Sequence, residues 1–191
     1  PVPAETITSA ERAEECLELF RGAGHVTVLA LPDLSGVIVE WEKSEKETLS
    51  AEFFFDRYSG DWNALLRALF SADIKKVSHN VKDLQRTLLE NDLPIEGFIF
   101  DTALAGYLLD ATAGKYDIAS LFAAYFHHTL AEPKHLDPDA FSMLGDTAEA
   151  ETAFHVYTSA VDALYEAFAP ELEKHELHEL YYKVEMPLCA V

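Results

Sequence analysis

Between Thr6 and Arg21 the apolar residues Ala13, Cys16, Leu17 and Phe20 recur at helical spacing behind early acidic residues, with Thr8 or Ser9 as candidate N-cap. Gly22 and Gly24 end this predicted helix. The period then changes. His25–Leu31 is a β-rich run, Gly36–Trp41 reads Gly-Val-Ile-Val-Glu-Trp, and Thr48–Phe55 alternates loosely around Leu49, Ala51 and Phe53. Three neighbouring strands are expected, the first two joined as a tight antiparallel hairpin by the turn-rich Pro32–Gly36 link. Helical periodicity returns over Asp61–Ala72 through Trp62, Leu65, Leu66 and Leu69, and Lys75–Ser78 reads as a short buried strand reached by a parallel crossover.

Beyond Ser78 the pattern is helical. Val81–Glu90 is followed by the short apolar run Phe98–Phe100, by Thr102–Leu109 with Asp101 as N-cap, and by Tyr116–Phe126 with Asp117 near its start. Glu132–Ala148, rich in His, Asp, Pro and small residues, reads as a loop containing a helical turn; Glu149–Lys174 is a long helix, and Glu176–Val191 a last helix kinked or stopped at Pro187. The order β-β-β-α-β followed by helices predicts an α/β fold: a mixed sheet of early antiparallel strands plus a parallel strand, flanked by helices.

Composition narrows the function. A chain of 191 residues with 49% hydrophobic residues can bury a full core, and one domain over residues 1–191 is expected. Fourteen Lys and Arg against 34 Asp and Glu give a net charge of −20, which disfavours a freestanding module that binds DNA strongly. The apolar stretches Val26–Leu31 and Phe98–Leu109 are too short or too interrupted to cross a membrane, so no membrane partner is expected. Two cysteines, Cys16 and Cys189, and the lack of a signal-like start fit a reducing cytoplasm. The opening Pro1 and the apolar ending through Met186 and Pro187 read as a piece cut from a longer polypeptide.

Several groupings invite chemistry, and each has a plainer reading. Asp33, Asp83, Asp101 and Asp162 could meet as a metal cluster, but their contexts suit a turn, solvated helix faces and an N-cap. His127, His128 and His135 lack the cysteine and spacing of a zinc site, and His175 and His178 lack the His-Glu-x-x-His pattern. Tyr157, Tyr165, Phe168, Tyr181 and Tyr182 could stack on bases, but they recur at core spacing without interleaved cations. No Gly-rich phosphate loop, Gly-x-Ser-x-Gly or reactive-cysteine context is present, so no cofactor is expected.

The run Val77-Ser78-His79-Asn80-Val81-Lys82-Asp83-Leu84, with Gly97-Phe98-Ile99-Phe100-Asp101-Thr102 opening a helix, resembles the second motif region of the 3′→5′ exonuclease domain of family A DNA polymerases. Ala113–Leu121 and Val184–Leu188 extend the resemblance over nearly the whole chain. It implies a ribonuclease-H-like fold and, in active members, four carboxylates holding two divalent metals about 4 Å apart. Aligned to those motifs, the first-strand Asp-x-Glu falls at or near Ala30 and Pro32, the second-motif Asp at Leu84, and the third-motif Asp at Tyr157 or Thr158. Asp83 and Asp162 each miss by one residue, a rotation of about 100° on a helix.

These losses match the Bacillus-type branch of the family, whose exonuclease domain is degenerate. The resemblance therefore implies a catalytically inactive, vestigial domain: not an enzyme by itself, without metal ligands, partnered by the polymerase domain of the same parent chain in DNA replication or repair. DNA would be bound only weakly or through that parent. Two alternatives stand beside it: an active metal-dependent proofreading exonuclease with shifted ligands, and an independent protein-interaction module on the same scaffold.

Overall fold

The computed structural model describes residues 2–130, 138–141, 147–175 and 186. Six strands form one sheet in the order β1-β4-β3-β2-β5-β6: β1 (Ala4–Thr6), β2 (Val26–Ala30), β3 (Gly36–Ser44), β4 (Glu47–Phe54), β5 (Lys76–Ser78) and β6 (Phe98–Asp101). The meander β2-β3-β4 is antiparallel, while β5 runs parallel to β2 and β6 parallel to β5. The helices are α1 (Ala10–Gly22), α2 (Trp62–Leu69), α3 (Val81–Glu90), α4 (Thr102–Leu109), α5 (Ile118–Phe126) and α6 (Thr147–Lys174). The expected mixed α/β sheet is present.

The sheet is covered on both faces. Val26, Val28, Val37, Val39, Ala51 and Phe53 meet Phe20, Leu65, Leu66 and Leu88 from α1, α2 and α3. Leu29, Leu31, Ile38, Val77 and Phe100 meet Ala105, Leu121, Phe154, Val161 and Leu164 from α4, α5 and α6 on the other. A sheet buried on both faces explains why β2 reads as a continuous apolar run.

Some boundaries differ from the sequence reading. The first helix starts at Ala10, capped by the Ser9 side chain, because residues Ala4–Thr6 are taken into β1, and the Ile7 N–H donates to the Glu52 carbonyl at 2.9 Å. Phe98–Asp101 is a strand, β6, the third of the parallel set after β2 and β5, where the sequence shows only an apolar run. It is aligned by Gly97, at φ 79°, where an added Cβ would lie 2.3 Å from the Ile74 carbonyl oxygen. The helix expected from Tyr116 begins at Ile118, after Asp117 caps it. Pro138–Phe141 forms the helical turn expected within Glu132–Ala148, and α6 begins at Thr147. The last helix expected over Glu176–Val191, Met186 apart, lies outside the described residues. Among the described residues no helix is long and apolar enough to cross a membrane.

Candidate functional site

At the ends of β5 and β6 the chain turns sharply, and one carboxylate organises the turn. Asn80 follows β5 in the left-handed region at φ 58°, which aims successive backbone N–H groups at Asp101. The N–H of Asn80 donates to Asp101 Oδ1 at 2.8 Å, that of Val81 to Oδ2 at 2.9 Å, and that of Ala103 to Oδ1 at 2.9 Å. Asp101, 3% exposed, thus closes the N-termini of both α3 and α4. The Ser78 hydroxyl donates to the Val28 carbonyl at 2.6 Å and ties β5 to β2.

Around this turn lies an open groove of about 430 Å³ lined by His79, Asn80, Ala103, Tyr116, Asp117 and Tyr157, together with Ile118 and Ala119. His79 Nδ1 is hydrogen-bonded with Thr102 Oγ1 at 2.7 Å, and burial holds the ring below the ordinary histidine pKa against the pull of Asp101 and Asp117. Burial pushes the Asp117 carboxyl up, but hydrogen bonds from Ser120 and the nearby His79 leave it below its usual value. The groove sits at the carboxyl ends of parallel strands, where open α/β sheets bind ligands. Because Asp117 both caps α5 and lines the groove, D117A is expected to cost about 1 kcal/mol in urea unfolding, the ordinary worth of an N-cap. An unchanged midpoint would show that the cap is dispensable.

The pleat of β2 decides which motif positions face this region. Thr27 donates through Oγ1 to Asp162 Oδ1 on α6 at 2.8 Å, so Thr27, Leu29 and Leu31 share the α6 side. Val26, Val28 and Ala30 pack on the opposite face. Leu29 and Leu31 thus face the helix that carries Tyr157, and Ala30 faces the other side. Pro32 is exposed in the turn after β2. Leu84 is half-buried against the core on the α1 side, and Tyr157, 2% exposed, forms a wall of the groove.

The four aspartates do not converge. Asp33 accepts from the backbone and hydroxyl of Ser35, and Asp162 lies at the far end of the sheet beside Thr27 and His25. Asp83 pairs with Arg86 and meets Asp101 only through Asn80, whose side-chain amide donates to Asp83 Oδ2 at 2.7 Å. His127 ends α5 in the left-handed region, His128 sets its edge on Phe122, and His175 pairs with Glu171. Tyr165 packs on Phe100 and His25, while Phe168 is fully buried. His135, His178, Tyr181 and Tyr182 lie outside the described residues.

Sequence reasoning missed His79, Tyr116 and Asp117 as groove residues. The available signal was the polar pair His79-Asn80 between a buried strand and a helix. It also missed Glu40, 4% exposed on β3, whose Oε2 accepts from the Ser159 hydroxyl on α6 at 2.7 Å.

No protein-family model matches the chain. A stretch of 125 residues, 61% of the chain, is 30% identical to DNA polymerase I of Chloroflexus aurantiacus and spans 13% of that protein. Among solved structures, the POL domain of Pol1 from M. smegmatis, in complex with DNA primer-template and dNTP, superposes with a TM-score of 0.74 at 18% identity, covering 97% of this chain and 30% of that one. The catalytic core of RRP6 from Trypanosoma brucei gives a TM-score of 0.75 at 15% identity over 98% of this chain and 52% of that one. Escherichia coli RNase D, an exoribonuclease involved in structured RNA processing, gives 0.57 at 18% identity over 95% and 51%. The mixed six-stranded sheet with flanking helices is the ribonuclease-H-like α/β fold that these structures share. They also correct one expectation, that the isolated domain is not an enzyme: a catalytic core and an exoribonuclease stand among the structures that share its fold.

Proposed function

We propose that this chain, a 3′–5′ exonuclease-like domain related to a segment of DNA polymerase I, serves as one module of a longer polymerase chain and works beside the polymerase domain in DNA replication or repair. The observation that carries this reading is the extent of the likeness: 97% of this chain superposes on 30% of a polymerase chain, so its whole fold corresponds to a part of such a protein. Residues 1–191 then form one domain of the parent. Contact with DNA falls to the parent, since a net charge of −20 opposes the counterion release that drives phosphate binding. Cys16, a buried free thiol, fits a cytoplasmic setting.

The experiment compares the parent polymerase with a version lacking residues 1–191. Loss of the module is expected to lower the melting temperature of the polymerase domain by several degrees and to weaken primer extension. Identical melting and extension would overturn the module reading.

The nucleases among the fold's neighbours favour a second reading, 3′-end hydrolysis with shifted ligands. Ala30, Pro32, Leu84 and Tyr157 offer no carboxylate, so this reading needs other ligands, and Asp117 is the carboxylate that lines the groove. Release of nucleotides from a 3′-labelled single strand in Mn²⁺, lost in D117N, is the result that supports it; release that survives the substitution removes it.

A further inference from the structure

We propose that His25, Asp162 and Glu166 form a zinc-class divalent-cation site at the end of the sheet opposite the groove. His25 immediately precedes β2, whereas the groove lies beyond the far ends of the strands parallel to it. The site is separate from the Proposed function and does not depend on it.

The three side chains converge as ligands of one ion do. Asp162 and Glu166 stand four residues apart on α6, which brings their side chains to one helix face. His25 approaches from the sheet, its Nε2 3.9 Å from Asp162 Oδ1, and one ligand atom from each of the three residues lies within 4.8 Å of the others. Two of the three are held in place. The Thr27 hydroxyl fixes the Asp162 carboxylate at 2.8 Å, and the His25 ring sits edge-on to Tyr165 with centroids 4.8 Å apart. Such outer partners are what orient metal ligands. Glu166 is exposed, so a small rotation of its side chain closes the remaining distance.

A second observation points to a cation. The three ligands border a void of about 30 Å³, walled also by Glu40, Trp41, Glu42 and Thr48. Four carboxylates therefore surround a space that admits a single ion or water, and no Lys or Arg is among its described lining residues. Glu40 is 4% exposed, and its Oε2 accepts from the Ser159 hydroxyl on α6. Buried carboxylates are paired or coordinate a metal. One imidazole with carboxylate oxygens suits Zn²⁺, which accepts three protein ligands and a water; Mg²⁺ prefers an all-oxygen octahedron and keeps its waters. A bound ion would clip the second half of α6 to the start of β2.

The test is calorimetric titration of the chelator-treated chain with ZnCl₂ and, separately, MgCl₂, together with zinc-edge anomalous diffraction from a soaked crystal. One equivalent of Zn²⁺ is expected to bind, with affinity lowered at least tenfold in both E166Q and H25Q and an anomalous peak within coordination distance of His25. Mg²⁺ is expected to give no comparable heat. E166Q alters an exposed side chain, so its folding is not in question. Absence of binding, binding equal in wild type and both variants, or a peak only at another histidine would each overturn the site.

Discussion

D101A is expected to lower the stability of the chain by about 4 kcal/mol, the largest effect of any single substitution in the turn region. The carboxylate takes three backbone N–H groups, from Asn80, Val81 and Ala103, in a place that is 3% exposed to water. Alanine leaves these donors buried or partly buried without partners, and each unmade bond of this kind costs about 1–3 kcal/mol. Asn80 adds to the effect, because its left-handed backbone is held against steric preference by the same carboxylate. D101N, which keeps acceptor capacity on one oxygen only, is expected to fall between wild type and D101A. Urea unfolding followed by fluorescence measures all three. A loss below about 1 kcal/mol in D101A would mean that water enters the turn and replaces the carboxylate.

The second large effect concerns Glu40 and depends on pH. Burial pushes its carboxyl up to about 7, with the nearby Asp162 charge acting in the same direction and the Ser159 hydroxyl opposing. In the unfolded chain the group titrates near 4.5. A raised acid pKa means that between those two values the folded state holds a proton the unfolded state has released. Stability is therefore lost as pH rises from about 4.5 to about 7, by up to about 3 kcal/mol, and stays lost above it. E40Q carries no such charge. With chelator present, it is expected to match wild type near pH 4 and to exceed it by about 2–3 kcal/mol at pH 8. Two profiles that run parallel from pH 4 to 8 would show that Glu40 is solvated when ionised.

The meander β2-β3-β4, the crossover strand β5 and the Asp101 cap were legible because their signals are local: turn residues, β-branched runs and a cap before a helix. β1 was not, since Ala-Glu-Thr has no apolar face and is a strand only because β4 offers it an edge. Which side each residue of β2 faces was not legible either, for a different reason. In a half-exposed strand the alternation of apolar and polar residues announces which side is which, but Val26–Leu31 is buried on both faces. Only the bond from Thr27 to Asp162 on α6 shows that Leu29 and Leu31 face one way and Ala30 the other. The groove escaped for a similar reason: His79, Tyr116, Asp117 and Tyr157 are spread over three segments, and the left-handed Asn80 that gathers the turn cannot be told from any other asparagine before a helix.

β1 covers the middle of β4, with the Ser50 N–H donating to the Pro3 carbonyl at 2.9 Å and Ala4, Glu5 and Thr6 paired to Ser50, Ala51 and Glu52. Its residues are exposed and bury almost no apolar surface, so its contribution lies in what it occupies. An eight-residue strand with an open row of N–H and C=O groups recruits the same strand from another molecule, and three residues suffice to block that row at its centre. Glu5, clamped at 2.8 Å by Arg12, adds a fixed charge on the rim. Proteolytic loss of the first six residues would leave the core intact while turning β4 into a template for amyloid-like stacking, so resistance to aggregation resides in a segment that contributes little to folding.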